Sequence, residues 1–208
     1  MYARADKCYV VSSVDKNYLL EIDPQIDVEL IPLWTDTTFL RPLGLPPDYP
    51  SVVFTGHMGS KPNMDAAFSL VEEILPEVRT SLPNIKVYIV GKEPPKRLRD
   101  LAACDKNIIV TGLVNDVRPY IDQATLYVSP LRSGTGMKTK VLEAMAMGKA
   151  VIGTSISFEG LEVLDGRDVV VANSSQEFAH WITLLMANND LRDSIGKAAR
   201  ECIQSLYT

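Results

Sequence analysis

Thr125-Leu-Tyr-Val-Ser129-Pro-Leu-Arg132-Ser-Gly134-Thr-Gly136-Met-Lys138-Thr-Lys140-Val-Leu-Glu143-Ala-Met-Ala-Met-Gly148-Lys-Ala150-Val-Ile152 is the stretch that decides the fold. It opens with a strand-length apolar run and passes into a loop with two glycines. The periodicity then predicts a helix from Met137 to Met147, closed by Gly148, and a strand over Ala150–Ile152. A strand, a crossover helix and another strand within about thirty residues make a βαβ unit, whose strands pair in parallel.

The same alternation extends outward. Upstream, a strand over Ser51–Thr55 ends at Gly56, and Asn63 is placed to cap a helix carrying Phe68, Val71, Ile74 and Leu75. A strand over Ile85–Val90 ends at Gly91, a polar helix covers Lys96–Ala103, and a strand over Ile108–Thr111 ends at Gly112. Asn115 then opens a short helix through Val117, Tyr120 and Ile121. Downstream come a short strand, Asp168–Val171, and two helices, Ser175–Ala187 and Leu191–Leu206. This pattern predicts a Rossmann-like, doubly wound α/β domain with a parallel sheet covered on both faces. Ligands of such sheets bind beyond the carboxyl ends of the strands, where three of these strands end in glycine.

Residues 1–49 fit that domain poorly. They read as a strand (Cys8–Val11), a helix (Val14–Leu20), a strand (Val28–Ile31) and a stretch stiffened by Pro42, Pro46, Pro47 and Pro50. The expected division is therefore the end of a preceding domain plus a linker over 1–49, and the main domain over 50–208.

Composition narrows the function. A length of 208 residues allows one domain of about 150 residues and an appendage. With 46% apolar and 23% charged residues, the chain has the make-up of a soluble globular protein. A net charge of −5 argues against a nucleic-acid partner, which calls for a basic stripe, yet leaves room for a single nucleotide. Cys8, Cys104 and Cys202 are odd in number and form no CxxC pair, so neither a disulfide scaffold nor a zinc site is expected. His57 and His180 have no third ligand beside them, and no metal is expected. The N-terminal segment carries Asp6 and Asp15 and lacks a signal peptide's apolar centre, so the expected location is the cytoplasm.

Chemistry is expected in the glycine loop. Unpaired N–H groups and the positive dipole end at a helix start attract an anion. Gly134 and Gly136 let backbone approach a phosphate with no side chain between them. Arg132, Lys138 and Lys140 place three cations around the loop, a set suited to a diphosphate. Glu143 is placed to accept hydrogen bonds from ribose hydroxyls. Taken singly, each lysine also reads as a solvated helix-start residue, and Glu143 as an exposed one. A Walker loop is absent, and Thr139 stands where a dinucleotide fingerprint needs its third glycine.

The run Leu142-Glu-Ala-Met-Ala-Met-Gly-Lys-Ala-Val-Ile-Gly-Thr154, after a glycine loop and a strand ending Ser129-Pro130, resembles the donor-binding signature of GT-B glycosyltransferases of the GT4 type. Ser51–Gly56 with Pro62-Asn63 resembles the first strand and phosphate loop of that family's C-terminal domain. Val87–Gly91 and Val110–Val114 resemble the strands whose ends surround the nucleotide base, which brings in Leu113 and Val114. Val28–Pro32 followed by Asp36 resembles the interdomain segment.

The resemblance implies a metal-independent, configuration-retaining transfer of a sugar from a nucleotide-diphosphate donor, with no bound cofactor. It implies that the acceptor (a glycan, lipid or polysaccharide precursor) binds an N-terminal domain, of which this chain carries only the last elements. The isolated chain is then expected to be inactive in transfer, and the full-length protein to associate peripherally with a membrane. Glu143 matches the second glutamate of the family's E-x7-E motif, and Thr135 occupies the position of the first, which contacts the donor sugar. Gly136, Met137 and Lys138 match the loop whose amides hold the diphosphate, with Lys138 or Lys140 as its basic residue. After the first strand and Gly56, His57 stands near the place of a phosphate-binding arginine and Lys61 is the surviving lysine. Glu159 and Glu162 follow the next strand, where family members carry an acidic residue near the donor, and they read equally as a solvated helix start. The alternative is a catalytically inactive nucleotide-sugar-binding or regulatory module, with Thr135 marking a lost sugar contact. A sugar-nucleotide epimerase of the same fold stands behind both, because no acid and base pair is found.

Overall fold

The computed structural model describes residues 6–31 and 33–208. Pro32, in the segment resembling an interdomain connection, lies outside the described residues. At the start, β1 (Cys8–Val10), α1 (Ser13–Ile22) and β2 (Val28–Leu30) form a small unit whose strands pair in parallel with each other and stay apart from the main sheet. No residue of α1 is buried.

The main sheet contains β3 (Asp48–Thr55), β4 (Lys86–Val90), β5 (Ile108–Gly112), β6 (Ala124–Ser129), β7 (Val151–Gly153) and β8 (Val170–Val171). Its six strands run in parallel in the order β5-β4-β3-β6-β7-β8. The chain enters at β3, winds outward through β4 and β5, then returns to the other flank of β3 and winds outward again. That reversal makes the sheet doubly wound and places its switch point between β3 and β6.

Strand side chains alternate between faces, and both faces are covered. Val52 and Phe54 of β3, Leu126 and Val128 of β6 and Ile152 of β7 enter one apolar cluster. There they meet α2 (Lys61–Phe68), α3 (Leu75–Arg79), α4 (Lys96–Cys104) and α7 (Ser175–Ala187). Val53, Tyr127 and Val151 point the other way, toward α5 (Arg118–Gln123), α6 (Thr139–Ala146) and α8 (Asn189–Leu206). On α6, Val141, Leu142 and Met145 are at most 2% exposed, a burial contributing about 1.5–3 kcal/mol per side chain. Lys140 and Glu143 are left half-exposed three positions apart, and so share one face of α6.

Several boundaries differ from the sequence-based expectation. Asn63 does not cap its helix: α2 begins at Lys61 with Pro62 in its first turn, a position proline favours. A π-helical segment, Ser69–Ile74, joins α2 to α3. The helix predicted from Met137 begins at Thr139, because Gly136 is left-handed (φ 74°) and Lys138 is not helical. Asn115 does not open α5; Asp116 Oδ1 accepts from Arg118 N at 2.9 Å instead. Asp168 serves a turn by accepting from Leu164 N at 2.9 Å, which leaves Val170–Val171 as strand.

Candidate functional site

The carboxyl ends of β3, β4 and β5 stack through their glycines. Gly56 N donates to Val90 O at 3.0 Å, and Gly91 N to Gly112 O at 3.2 Å. A methyl group on Gly91 would sit 1.8 Å from Gly56 O, so backbone approaches backbone there with no room for a side chain. Across the switch point, the loop from Pro130 to Lys138 descends from β6 into α6. The crevice between these two sides is the expected donor position.

Lys140 lines this crevice. Its ammonium hydrogen-bonds Asn63 Oδ1 and lies 4.7 Å from the centre of the Phe54 ring. A Cβ on Gly56 would come 3.1 Å from Lys140 Nζ, so the lysine crosses to the β3 side. Burial, reinforced by the Lys138 charge and opposed by Glu143, holds the Lys140 ammonium well below an ordinary lysine, at about 8. Burial likewise pushes the Glu143 carboxyl up, with Lys140 opposing it. Among the described residues the Glu143 carboxylate has no hydrogen-bond partner, and the amides of Thr139 and Lys140 meet no protein acceptor. Beside them Tyr127, fully buried, shares a 2.8 Å hydrogen bond with Thr55 Oγ1.

Lys138 has a different task. It is 8% exposed, and its ammonium donates to the carbonyls of Gly136 and Gly134, the latter at 3.3 Å. Glu159 Oε2 lies 3.8 Å away. Lys138 thus ties the loop into shape from within. Met137 packs toward the chain beyond β7: a Cβ on Gly160 would meet Met137 Cγ and Ser12 Cβ, both at 3.0 Å. Thr135 and Thr139 are exposed.

The remaining expected residues divide. Arg132 does not join the loop cations; its guanidinium forks onto Glu73, with Nη1 2.8 Å from Oε1. Lys61 is exposed and pairs with Asp65 at 2.6 Å, one helical turn along α2. His57 Nε2 lies 2.6 Å from Glu93 Oε2, tying the β3 loop to the β4 loop and holding the Glu93 carboxyl below the usual range. Leu113 is 78% exposed beyond β5, and Val114 is half-buried. Glu162 offers its backbone N to the Tyr207 hydroxyl at 2.8 Å. Sequence reasoning missed Asn63, which donates to His57 O at 3.0 Å and accepts from Lys140. Its position after Pro62 read as a cap; only the approach of α6 reveals the second role.

No helix of the described residues is long and apolar enough to cross a membrane. Among them, too, no group of three or more His, Cys, Asp or Glu residues could hold a metal ion.

A parallel sheet in this doubly wound order, with its loops converging on one helix start, defines a Rossmann-like α/β domain of the GT-B type. The sequence profile of the family described as glycosyl transferases group 1 matches residues 49–188, and the chain belongs to that family. It is similar to an uncharacterised 44.6 kDa protein in the cps region of Klebsiella pneumoniae, 26% identical over 164 residues that cover 76% of this chain and 42% of that one. In fold it resembles sucrose-phosphate synthase from Thermosynechococcus elongatus (TM-score 0.81, 21% identity, 100% of this chain and 55% of that one). It also resembles Staphylococcus aureus TarM in complex with fondaparinux, alpha-GlcNAc-glycerol and UDP (TM-score 0.80, 16% identity, 100% and 42%). The chain thus spans about half the length of these proteins or less.

Proposed function

We propose that residues 50–208 are the C-terminal, donor-binding half of a GT4-type glycosyltransferase, which moves a sugar from a nucleotide diphosphate to a glycan, lipid or polysaccharide precursor. Transfer proceeds with retention and without a metal. One observation carries this reading: the half-buried Glu143 carboxylate, with no hydrogen-bond partner among the described residues, lies near the Lys140 ammonium on one face of α6, beside two unpaired amides. A carboxylate in that state has unused acceptor capacity for ribose hydroxyls, and the helix start beside it has unused donors for a diphosphate. Lys140 receives the phosphate charge, Lys138 holds the loop, and His57 with Glu93 borders the β3 side.

Residues 1–49 are then the end of the acceptor-binding domain and its linker, and the chain alone binds donor without efficient transfer. The full-length protein works in the cytoplasm, at a membrane surface. Calorimetry on the 208-residue chain with UDP, GDP and ADP and their sugars tests the assignment. UDP is tried first, since the TarM structure holds it. Saturable binding of at least one nucleotide is expected; heat from none of them overturns the reading.

The exposed Thr135 supports a second reading, a non-catalytic nucleotide-sugar-binding module. Thr135→Glu in the full-length protein separates the two. An impaired enzyme changes in rate or donor preference, whereas a module stays inactive.

A further inference from the structure

We infer that a cavity at the opposite end of the sheet from the glycine loops is a second binding site, for a small molecule with one anionic head on a compact apolar body. The cavity measures about 730 Å3, within the range of small-molecule sites. It opens where β3, β6 and β7 begin, against Tyr49, Ala124 and Ala150. The length of β6, about 17 Å at about 3.3 Å per residue, separates it from the crevice at Lys140.

Two cations line it, Lys149 and Arg192. Lys149 Nζ donates to the carbonyls of Asp122 and Ala124, the latter at 2.9 Å, which leaves one of its three donors uncommitted. Arg192 spends Nη1 on Leu185 O at 3.2 Å and Asn189 Oδ1 at 2.9 Å, while Nη2 has no hydrogen-bond partner among the described residues. Two carboxylates, Asp122 and Asp193, share the wall with the pair, but neither takes the free donors of Lys149 and Arg192 Nη2. Asp122 has both oxygens occupied, by Leu43 N at 3.0 Å and Leu45 N at 2.8 Å. The Asp193 side chain lies 3.4 Å from Arg192 Nε but is 74% exposed to solvent. Burial holds the Lys149 ammonium below an ordinary lysine, with the Asp122 and Asp193 charges opposing it and the Arg192 charge acting in the same direction. An anion between the two accepts from the free Lys149 donor and from Arg192 Nη2, and the first turn of α8 adds its positive dipole end.

The rest of the wall is suited to an apolar body: Leu45, the Tyr49 ring, Met186 and Ala187. One side is the segment 42–47 that leads from the β1–α1–β2 unit into β3, pinned there by Asp122. A bound ligand therefore touches the connection between the two parts of the chain.

The test is a heteronuclear NMR titration of the 208-residue chain with phenyl phosphate, inorganic phosphate and benzyl alcohol. Phenyl phosphate is expected to shift the amides of Leu45, Lys149, Ala187 and Arg192 saturably. The other two probes, lacking body or head, are expected to bind these positions at least tenfold more weakly. Arg192→Gln and Lys149→Met should each lower phenyl phosphate affinity tenfold or more. Movement confined to the Lys138–Lys140 region, equal binding of benzyl alcohol, or unaltered affinity in both variants overturns the inference. The probe comparison uses the unaltered protein, so it stands even where a variant fails to fold.

Discussion

Lys138 and Lys140 are two residues apart, yet they meet opposite environments. Lys138 folds back onto the carbonyls of its own loop, whereas Lys140 crosses the crevice to Asn63. Charge-assisted hydrogen bonds are worth about 1.5–3 kcal/mol, so Lys140→Ala is expected to weaken UDP binding about 10- to 150-fold by calorimetry. Lys106→Ala, an exposed control, should leave it unchanged. The pH dependence has a definite sign. With an ammonium that titrates at about 8, Lys140 is charged below that pH and loses its proton above it. A terminal phosphate, whose second ionisation lies near pH 6, no longer changes over this interval. UDP affinity measured from pH 7 to pH 10 should therefore fall above about 8, and Lys140→Arg should flatten the decline. An increase with pH would remove Lys140 from the phosphate site.

At the scale of elements, the site depends on strand ends brought together closely and helices started at fixed points. The alanine methyl of Gly91→Ala would overlap Gly56 O at 1.8 Å, in a backbone conformation (φ 144°) that side chains rarely adopt. Overpacking and strain of this kind cost about 2 kcal/mol or more, to be read as a lower denaturation midpoint. A milder loss is expected at α7. There Ser174 and Glu177 form a reciprocal capping box, with Glu177 N 3.2 Å from the Ser174 hydroxyl. Ser174→Ala should cost about 1 kcal/mol and leave nucleotide binding intact, because Ser174 follows β8 at the sheet's outer edge, two strands beyond β6. The strands and most helices were legible because their apolar periods of two and 3.6 survive in the sequence. The start of α6 was not. Gly136 and Lys138 break the helix through backbone geometry that the periodicity of Met137 does not record.

For the whole molecule, burial is uneven. The main sheet holds two apolar clusters, while Val14, Tyr18 and Ile22 along α1 are 49%, 64% and 60% exposed. Local stability follows buried apolar contact, so hydrogen exchange should release the amides of β1, α1 and β2 well before those of β3 and β6. Equal protection would show that the small unit shares the main core. The sequence by itself determined the alternation of strands and helices, the glycine-ended strands and the grouping of Lys138, Lys140 and Glu143, since all of these are local patterns. Only the tertiary structure decided which cations face the crevice: Arg132 turns to Glu73 and Lys61 to Asp65, while Lys140 reaches Asn63. A long charged side chain goes to the partner that folding brings nearest, and that partner can be 77 positions away along the chain, as Asn63 is from Lys140.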